Sequence, residues 1–402
     1  MAYPGMGDPV IYLDNAATTW PKPAAVRGAV QRALTAYGAN PGRSGHSMGM
    51  AASEAVYRCR EALAGFFHLE DPSKVVFVQN CTMALNTVIK GLLKEGGRMV
   101  VSDLEHNAVM RPLYALSPDA PIYDVASAVP GNTPATVAAF ERCITPETRG
   151  IVCTHASNVF GTRLPIREIG AMAHRHGLVF VVDGAQSAGL LPIDMQRDNV
   201  DFLCIPGHKA LYGPVGIGAL LCNSDRLLPA LVEGGTGSQS LSLQQPEELP
   251  DRLESGTLNT VGICGLEAGI SFVRERGMQE LAEREIRLMA RLYDRLADMR
   301  GVKLYTPRPE LRLSAPVLSF NLAGRRSEEV AQALDKRKIC CRAGLHCAPS
   351  AHRHFGTLET GAVRLAPSAF TTREEIDRVS RAIWYEAHAA QHGAGRGESP
   401  GP

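Results

Sequence analysis

From Ser53 to Leu221, short apolar runs alternate with stretches whose apolar residues recur every three or four positions. The runs Val75 to Val78, Met99 to Ser102, Gly150 to Cys153, Leu178 to Val182 and Phe202 to Ile205 predict strands. Leu178 to Val182 is continuous and rich in β-branched residues, the pattern of a strand buried on both faces. The helical period of Ser53 to Phe67, and of Leu85, Val88, Ile89 and Leu92, predicts amphipathic helices. Strand followed by helix, repeatedly, argues a mostly parallel sheet with right-handed crossovers. Pro23 to Tyr37 is a further helix with proline in its first turn, and Pro134 to Cys143 another. Pro121 to Thr136 reads as a connector, and Asn40 to Gly49 as a Gly-rich loop. After helix Val261 to Arg276 and a charged helix, Met278 to Met299, the order changes. Strands Val302 to Tyr305 and Val317 to Asn321, then helix Ser327 to Lys336, predict a smaller α+β unit. The His/Gly/Pro-rich end, 387–402, reads as a disordered tail.

At 402 residues the chain is too long for one ordinary core and suggests two domains. Charge is balanced, 42 Lys+Arg against 41 Asp+Glu, without a long basic run, so nucleic acid is not an expected partner. No stretch reaches the ~18 apolar residues of a membrane span, and MAYPGMGDPVIYLDNAATT has neither a basic n-region nor an apolar h-region. The ten cysteines lack framework spacing, and Cys153, Cys204 and Cys222 lie in strand-like runs. That pattern predicts reduced, buried thiols in a cytoplasmic enzyme. Cys340-Cys341 with His346-Cys347 lacks zinc-ligand spacing, so no metal is expected. No G-x-G-x-x-G follows a strand, which removes a dinucleotide site.

Two strand ends carry the candidate chemistry. Asp183 ends the run Leu178 to Val182, and Lys209 follows Phe202 to Ile205 through Pro206-Gly207-His208. An acid and a lysine so placed suit pyridoxal phosphate (PLP): the amine forms a Schiff base, and the acid keeps the pyridine nitrogen protonated. Gln186 follows one turn after Asp183. The alternative, a surface lysine and a turn-capping aspartate, is outweighed by the three together. Strand Val75 to Val78 turns through Gln79-Asn80-Cys81-Thr82 into a helix, an arrangement of free N–H groups that suits an anion. Thr82 as a plain N-cap is the competing reading. His106 has a side chain whose ordinary pKa, ~6.5, fits proton transfer, although a lone His after a strand is more often structural. In ICCRAGLHCAP, Cys347 is preceded by Arg342 and His346, and nearby positive charge would favour its thiolate; three cysteines in an apolar core patch is the alternative.

VVDGAQS followed by GHKALYGPVGIG resembles the fold-type I PLP enzymes of aminotransferase class V, and their cysteine desulfurase/selenocysteine lyase branch in particular. Matching motifs run in order from Asp14 to about Thr372. The resemblance implies an α/β fold with a seven-stranded-type sheet in a large domain, 17–265, and a small domain from 1–16 and 266–386. It places the PLP phosphate on Thr82 and the backbone around Cys81. It stacks His106 on the ring and gives the phenolic oxygen to Asn158, from S-N-V-x-G-T, with Gln186 sharing it. Many relatives carry Ser or Thr where this chain has Pro206, so His208 is the candidate to compensate at the phosphate. D-N-A-A-T-T implies Asn15 near the substrate carboxylate, with His46 bordering the site. R-x-G-x-H-C-A resembles the short-loop desulfurase motif, whose persulfide-forming cysteine corresponds to Cys347, with Arg342 on the substrate side. Leu345 stands where members commonly have His. V-R-L-A-P implies that Arg364 binds the α-carboxylate. Ser255-Gly256-Thr257 resembles the segment that reaches the phosphate of the partner subunit in a homodimer; Thr257 as a local N-cap is the alternative.

The expected activity is PLP-dependent cysteine desulfuration: L-cysteine to L-alanine, with sulfur left as a Cys347 persulfide for an acceptor protein. The alternatives are selenocysteine lyase activity and another class V reaction, transamination or β-elimination.

Overall fold

The computed structural model describes residues 10–36, 38–42 and 45–394. The chain forms two compact units, a larger one from Pro21–Ala156 and Leu164–Gln279 and a smaller one from Met1–Trp20, Ser157–Arg163 and Glu280–Pro402. The divisions expected after residues 16 and 265 thus fall after Trp20 and Gln279. Ser157–Arg163 goes with the smaller unit because Arg163 N–H bonds the Leu313 carbonyl and Thr162 bridges Ser314.

The larger unit is built on seven strands in the order Val75–Val78, Gly218–Cys222, Phe202–Pro206, Val179–Asp183, Thr148–Thr154, Arg98–Ser102, Tyr123–Ala126. All neighbours are parallel except that Gly218–Cys222 runs antiparallel to both of its partners. Every residue of Val179–Asp183 and Phe202–Pro206 is buried, as their unbroken apolar pattern requires. Val181, Phe202 and Cys204 join Leu85, Val88 and Ile89 of helix Cys81–Leu92 in one core. Full burial of each large apolar side chain stabilises the unit by about 1.5–3 kcal/mol. A buried ion pair, Arg60 Nη2 to Glu254 Oε2 at 2.6 Å, ties the chain before Thr257 to the sheet edge; Glu254 also accepts from the Phe77 N–H.

The segment read as a connector contains the edge strand Tyr123–Ala126, which is only partly buried and so has no apolar run. Helix Asn107–Leu116 is likewise not marked by periodicity; it is short and carries Pro112 in its interior. The helix expected from Ser53 begins at Ser47.

The smaller unit carries an antiparallel sheet in the order Arg342–Gly344, Ala362–Leu365, Leu318–Leu322, Val302–Leu304, and Ile11–Tyr12 pairs in parallel with Ile339–Cys340. Its core joins Phe320, Val363 and Leu365 to Leu292 and Leu296 of helix Met278–Ala297 and to Ile376 and Ile383 of helix Arg373–Ala394. That last helix takes in the first part of the expected disordered tail; 395–402 lie outside the described residues. Among the described residues no helix is long and apolar enough to cross a membrane.

Candidate active site

In the larger unit the chain passes from Arg98–Ser102 outward to Tyr123–Ala126 and then returns to Thr148–Thr154 on the inner side. Such a topological switch point opens a crevice at the carboxyl ends of the strands, where open α/β sheets bind ligands. His106 lies after the first of these strands, Thr154 ends the next, and Asp183 ends its neighbour. Asp183 is 3% exposed. Its Oδ1 accepts from the Ala185 N–H at 2.9 Å and from Cys81 Sγ at 3.4 Å. Cys81 opens its helix, and Asn80 caps it by accepting from the Met83 N–H at 3.0 Å. Thr82 is therefore not the cap; it lies exposed in the first turn, at the positive end of the helix dipole. Gly218 makes this approach possible: a Cβ there would lie 2.6 Å from the Ile205 carbonyl oxygen and 3.1 Å from the Asn80 carbonyl carbon.

Lys209 sits in the turn after Phe202–Pro206, its carbonyl accepting from the Tyr212 N–H at 2.8 Å. Gly189, at φ +87°, lets the chain after Gln186 run against this turn, since a Cβ would meet the Ala210 oxygen at 2.6 Å. Lys22 Nζ donates to the His208 carbonyl at 2.7 Å. Burial, then the charges of Lys209 and Lys22, push His208 down to about 4. Its ring is therefore neutral near pH 7 and carries no charge.

His106 caps helix Asn107–Leu116, with Nδ1 accepting from the Ala108 N–H at 3.0 Å. The proton of the neutral ring is then on Nε2. His46 is exposed and caps helix Ser47–Phe67 by accepting from the Gly49 N–H at 3.2 Å. Thr257 is exposed after Gly256 at φ +89°. It is not the local N-cap: Asn259 caps helix Thr260–Arg276, accepting from the Gly262 N–H at 2.9 Å.

In the sequence Glu105 is marked only by its place before His106. It is fully buried, and its Oε1 accepts from the Thr154 N–H at 2.8 Å and from Ser102 Oγ. It thus joins the two strands that flank the switch point. Burial pushes it up to about 8, so it is protonated near neutral pH.

In the smaller unit Arg364 is 3% exposed; Nη2 donates to Asp14 Oδ1 and Nη1 to the Asn158 carbonyl, both at 2.8 Å. Arg342 lies directly across from Arg364 on the neighbouring strand. Two guanidinium side chains at one cross-strand position suit a carboxylate. Asn15 gives both amide donors to backbone carbonyls, Ala366 at 2.9 Å and Tyr12 at 3.2 Å, and accepts from the Trp20 N–H. It braces the segment, and Asp14 is the residue that meets Arg364. Asn158 Nδ2 donates to the His346 carbonyl at 2.7 Å, so Asn158 links Arg364 to the turn bearing Cys347.

That turn is left-handed at two successive residues, His346 at φ +52° and Cys347 at φ +57°. Such a conformation costs about 1–2 kcal/mol per non-glycine residue. It turns His346 inward, 8% exposed, and Cys347 outward. Burial, then the charge of Arg364, push His346 down to about 3. The ring is neutral and cannot supply the positive charge expected beside Cys347. Burial pushes Cys341 up to about 12 and raises Cys340. Both stay protonated. Among the described residues no cluster of His, Cys, Asp or Glu could hold a metal ion.

The aminotransferase class-V family model matches residues 11–379. A probable cysteine desulfurase of Methanothermobacter thermautotrophicus is 32% identical over 383 residues, 93% of this chain and 94% of that protein. Another, from Halalkalibacterium halodurans, is 31% identical over 385 residues, 94% of this chain and 93% of the relative. Among solved structures, the apo cysteine desulfurase from Thermococcus onnurineus NA1 superposes with a TM-score of 0.87 at 29% identity, covering 94% of this chain and 95% of that one. The cysteine desulfurase CsdA from Escherichia coli gives 0.82 at 27% identity, covering 95% of each chain.

Proposed function

The chain belongs to the aminotransferase class-V family, and from that membership we propose that it is a PLP-dependent cysteine desulfurase, converting L-cysteine to L-alanine and taking the sulfur onto Cys347. The larger unit fits the cofactor. Lys209 offers the amine for a Schiff base, the buried Asp183 carboxylate suits the pyridine nitrogen, and the helix start at Cys81 and Thr82 suits the phosphate. Bound PLP supplies an electron sink for the charge left on the substrate Cα. Around it, Gln186 and Asn158 are assigned to the phenolic oxygen, His106 to the ring face and His208 to the phosphate side.

Lys209 Nζ takes the substrate Cα proton. Arg364 and Arg342 hold the α-carboxylate and thereby orient the sulfur, with Asn15 and His46 supporting the substrate side. The Cys347 thiolate attacks that sulfur: an S–S bond forms, the C–S bond breaks with its electron pair going to Cβ, Cβ gains a proton to become the methyl group of alanine, and Cα regains the proton that Lys209 took. Cys347 keeps the sulfur as a persulfide until a thiol-bearing acceptor removes it. The observation that carries this reading is the Cys347 turn: an exposed thiol beside the Arg342 strand, with both neighbouring cysteines held protonated. Ten free thiols, most of them buried, support a reducing, cytoplasmic setting.

Purified protein given L-cysteine and a reductant is expected to yield alanine and sulfide in equal amounts. Pyruvate with ammonia would mean elimination instead. Arg364→Ala is expected to raise KM for L-cysteine at least about tenfold, the loss of one charge-assisted bidentate contact. It should also lower stability by about 3 kcal/mol, because Asp14 is left without its cation. An unchanged KM removes Arg364 from the substrate site.

The reading includes a homodimer in which Thr257 of each subunit serves the phosphate of its partner. Thr257 is exposed and free of capping duty, and Leu241 and Leu243 are fully exposed apolar residues that a second copy could cover. Lys209→Ala protein mixed with a Thr257→Val protein tests this. After subunit exchange, each heterodimer has one site with Lys209 and a normal Thr257 only if Thr257 acts in trans, and PLP retention should recover. No recovery despite confirmed exchange places Thr257 in its own chain's site.

A further inference from the structure

Behind the exposed Cys347 lies a buried chain of polar groups to which the reaction scheme gives no task. His346 Nδ1 meets His352 Nε2 at 3.4 Å, and His352 Nδ1 meets Thr357 Oγ1 at 2.7 Å. The two rings lie parallel to within 8°, with centroids 5.6 Å apart. His352 is 0% and Thr357 1% exposed. His352 is set by its surroundings: it sits on helix Pro349–His354, its ring meets Phe160 edge-on at 5.5 Å, and its carbonyl accepts from the Thr357 N–H at 2.8 Å. His346 is less secure. Its Nε2 is buried without a hydrogen-bond partner, and its backbone is held at positive φ. What fixes it is Asn158 on its carbonyl and the bond of its ring to His352. Cys347 is the next residue in the same left-handed turn and is exposed.

We propose that His352, held by Thr357, is a positioning residue for the Cys347 nucleophile, anchoring His346 so that the strained turn presents the thiol to the substrate sulfur. Two neutral imidazoles can share one hydrogen bond in which one donates and the other accepts, so the anchor needs a side chain with both capacities at 352. An apolar residue of similar size fills the space but leaves His346 with a further unpaired nitrogen in a buried place, which favours release of the turn. Small displacements of a reacting group are costly: a shift of about 1 Å can slow a step by about a hundredfold.

For its kinetic arm the inference rests on the desulfurase reading. The test compares His352→Leu and His352→Gln with wild type in the full-length protein, by steady-state desulfuration of L-cysteine and by amide hydrogen exchange with and without PLP. His352→Leu is expected to keep the wild-type KM while kcat falls at least about tenfold. His352→Gln, whose amide both donates and accepts, should recover most of that loss. Exchange over 342–352 should quicken in His352→Leu and stay unchanged elsewhere. If His352→Leu does not fold, Thr357→Val carries the same comparison. A kcat within about twofold of wild type in the folded apolar variant, or equal losses in the Gln and Leu variants, overturns the proposal. If the wild-type protein forms no persulfide on Cys347, the desulfurase reading fails, and exchange alone decides the anchor. Local quickening over 342–352 then supports it, and unchanged exchange overturns it.

Discussion

Lys209→Ala protein, incubated with PLP and treated with borohydride, is expected to retain no covalently attached cofactor and to desulfurate L-cysteine at least ~10³-fold more slowly than wild type. The turn that holds Lys209 explains why the fold should survive. Its bonds are made by backbone groups: the Lys209 carbonyl with the Tyr212 N–H, and the Gly213 N–H with the Gly207 carbonyl. Truncating the side chain leaves them in place. Asp183 keeps its contacts with Ala185 and Cys81. The variant should therefore still bind PLP, weakly and reversibly, through its phosphate and ring nitrogen. Borohydride-stable PLP on the variant would assign the covalent link to another amine, and Lys22, which burial pushes down to about 8, would be the first to examine.

The second large effect is expected from Cys347→Ser. Sulfide release should fall by ~10²–10³-fold or more, with PLP content and Lys209 attachment unchanged. A hydroxyl keeps the size of the thiol but is a far poorer nucleophile at neutral pH. The substitution sits on an exposed side chain, so stability should hardly change. The partner reaction is informative here: selenium leaves more readily than sulfur, so a chain that works mainly on L-selenocysteine should keep much of that activity in the same variant. Retention on L-cysteine would move the sulfur-accepting role elsewhere.

The parts of this molecule that could be read from the sequence are those whose physics is local or repeated. A continuous apolar run rich in β-branched residues, such as Leu178 to Val182, predicts a strand buried on both faces, and all five residues of Val179–Asp183 are buried. Strand–turn–helix at Val75–Val78 and Cys81 is equally plain. Edge elements carry less pattern, so Tyr123–Ala126, half in solvent, passed for a connector. Within the site, residue types with obvious chemistry stood out, whereas residues that act by fixing others did not. Asp14 is the acidic partner of Arg364, yet 350 positions separate them. Glu105 looks like a surface acid until Thr154 and Ser102 close over it. Capping was ambiguous for the same reason: Asn80 and Asn259 were not distinguishable in sequence from Thr82 and Thr257 as caps, because a cap is defined by which N–H its oxygen faces. The charge of His346 is not legible locally either, since burial and the charge of Arg364 set it.

The central claim, that sulfur from L-cysteine passes to Cys347, is tested most directly by one mass measurement. Wild-type protein loaded with PLP is mixed with L-cysteine in the absence of reductant, blocked with an alkylating agent, digested and mapped. The account predicts one added sulfur on the peptide carrying Cys347, with L-alanine formed in equal amount to the persulfide. Added sulfur on Cys340 or Cys341 with Cys347 unmodified, or alanine formed while Cys347 carries no sulfur, would contradict it.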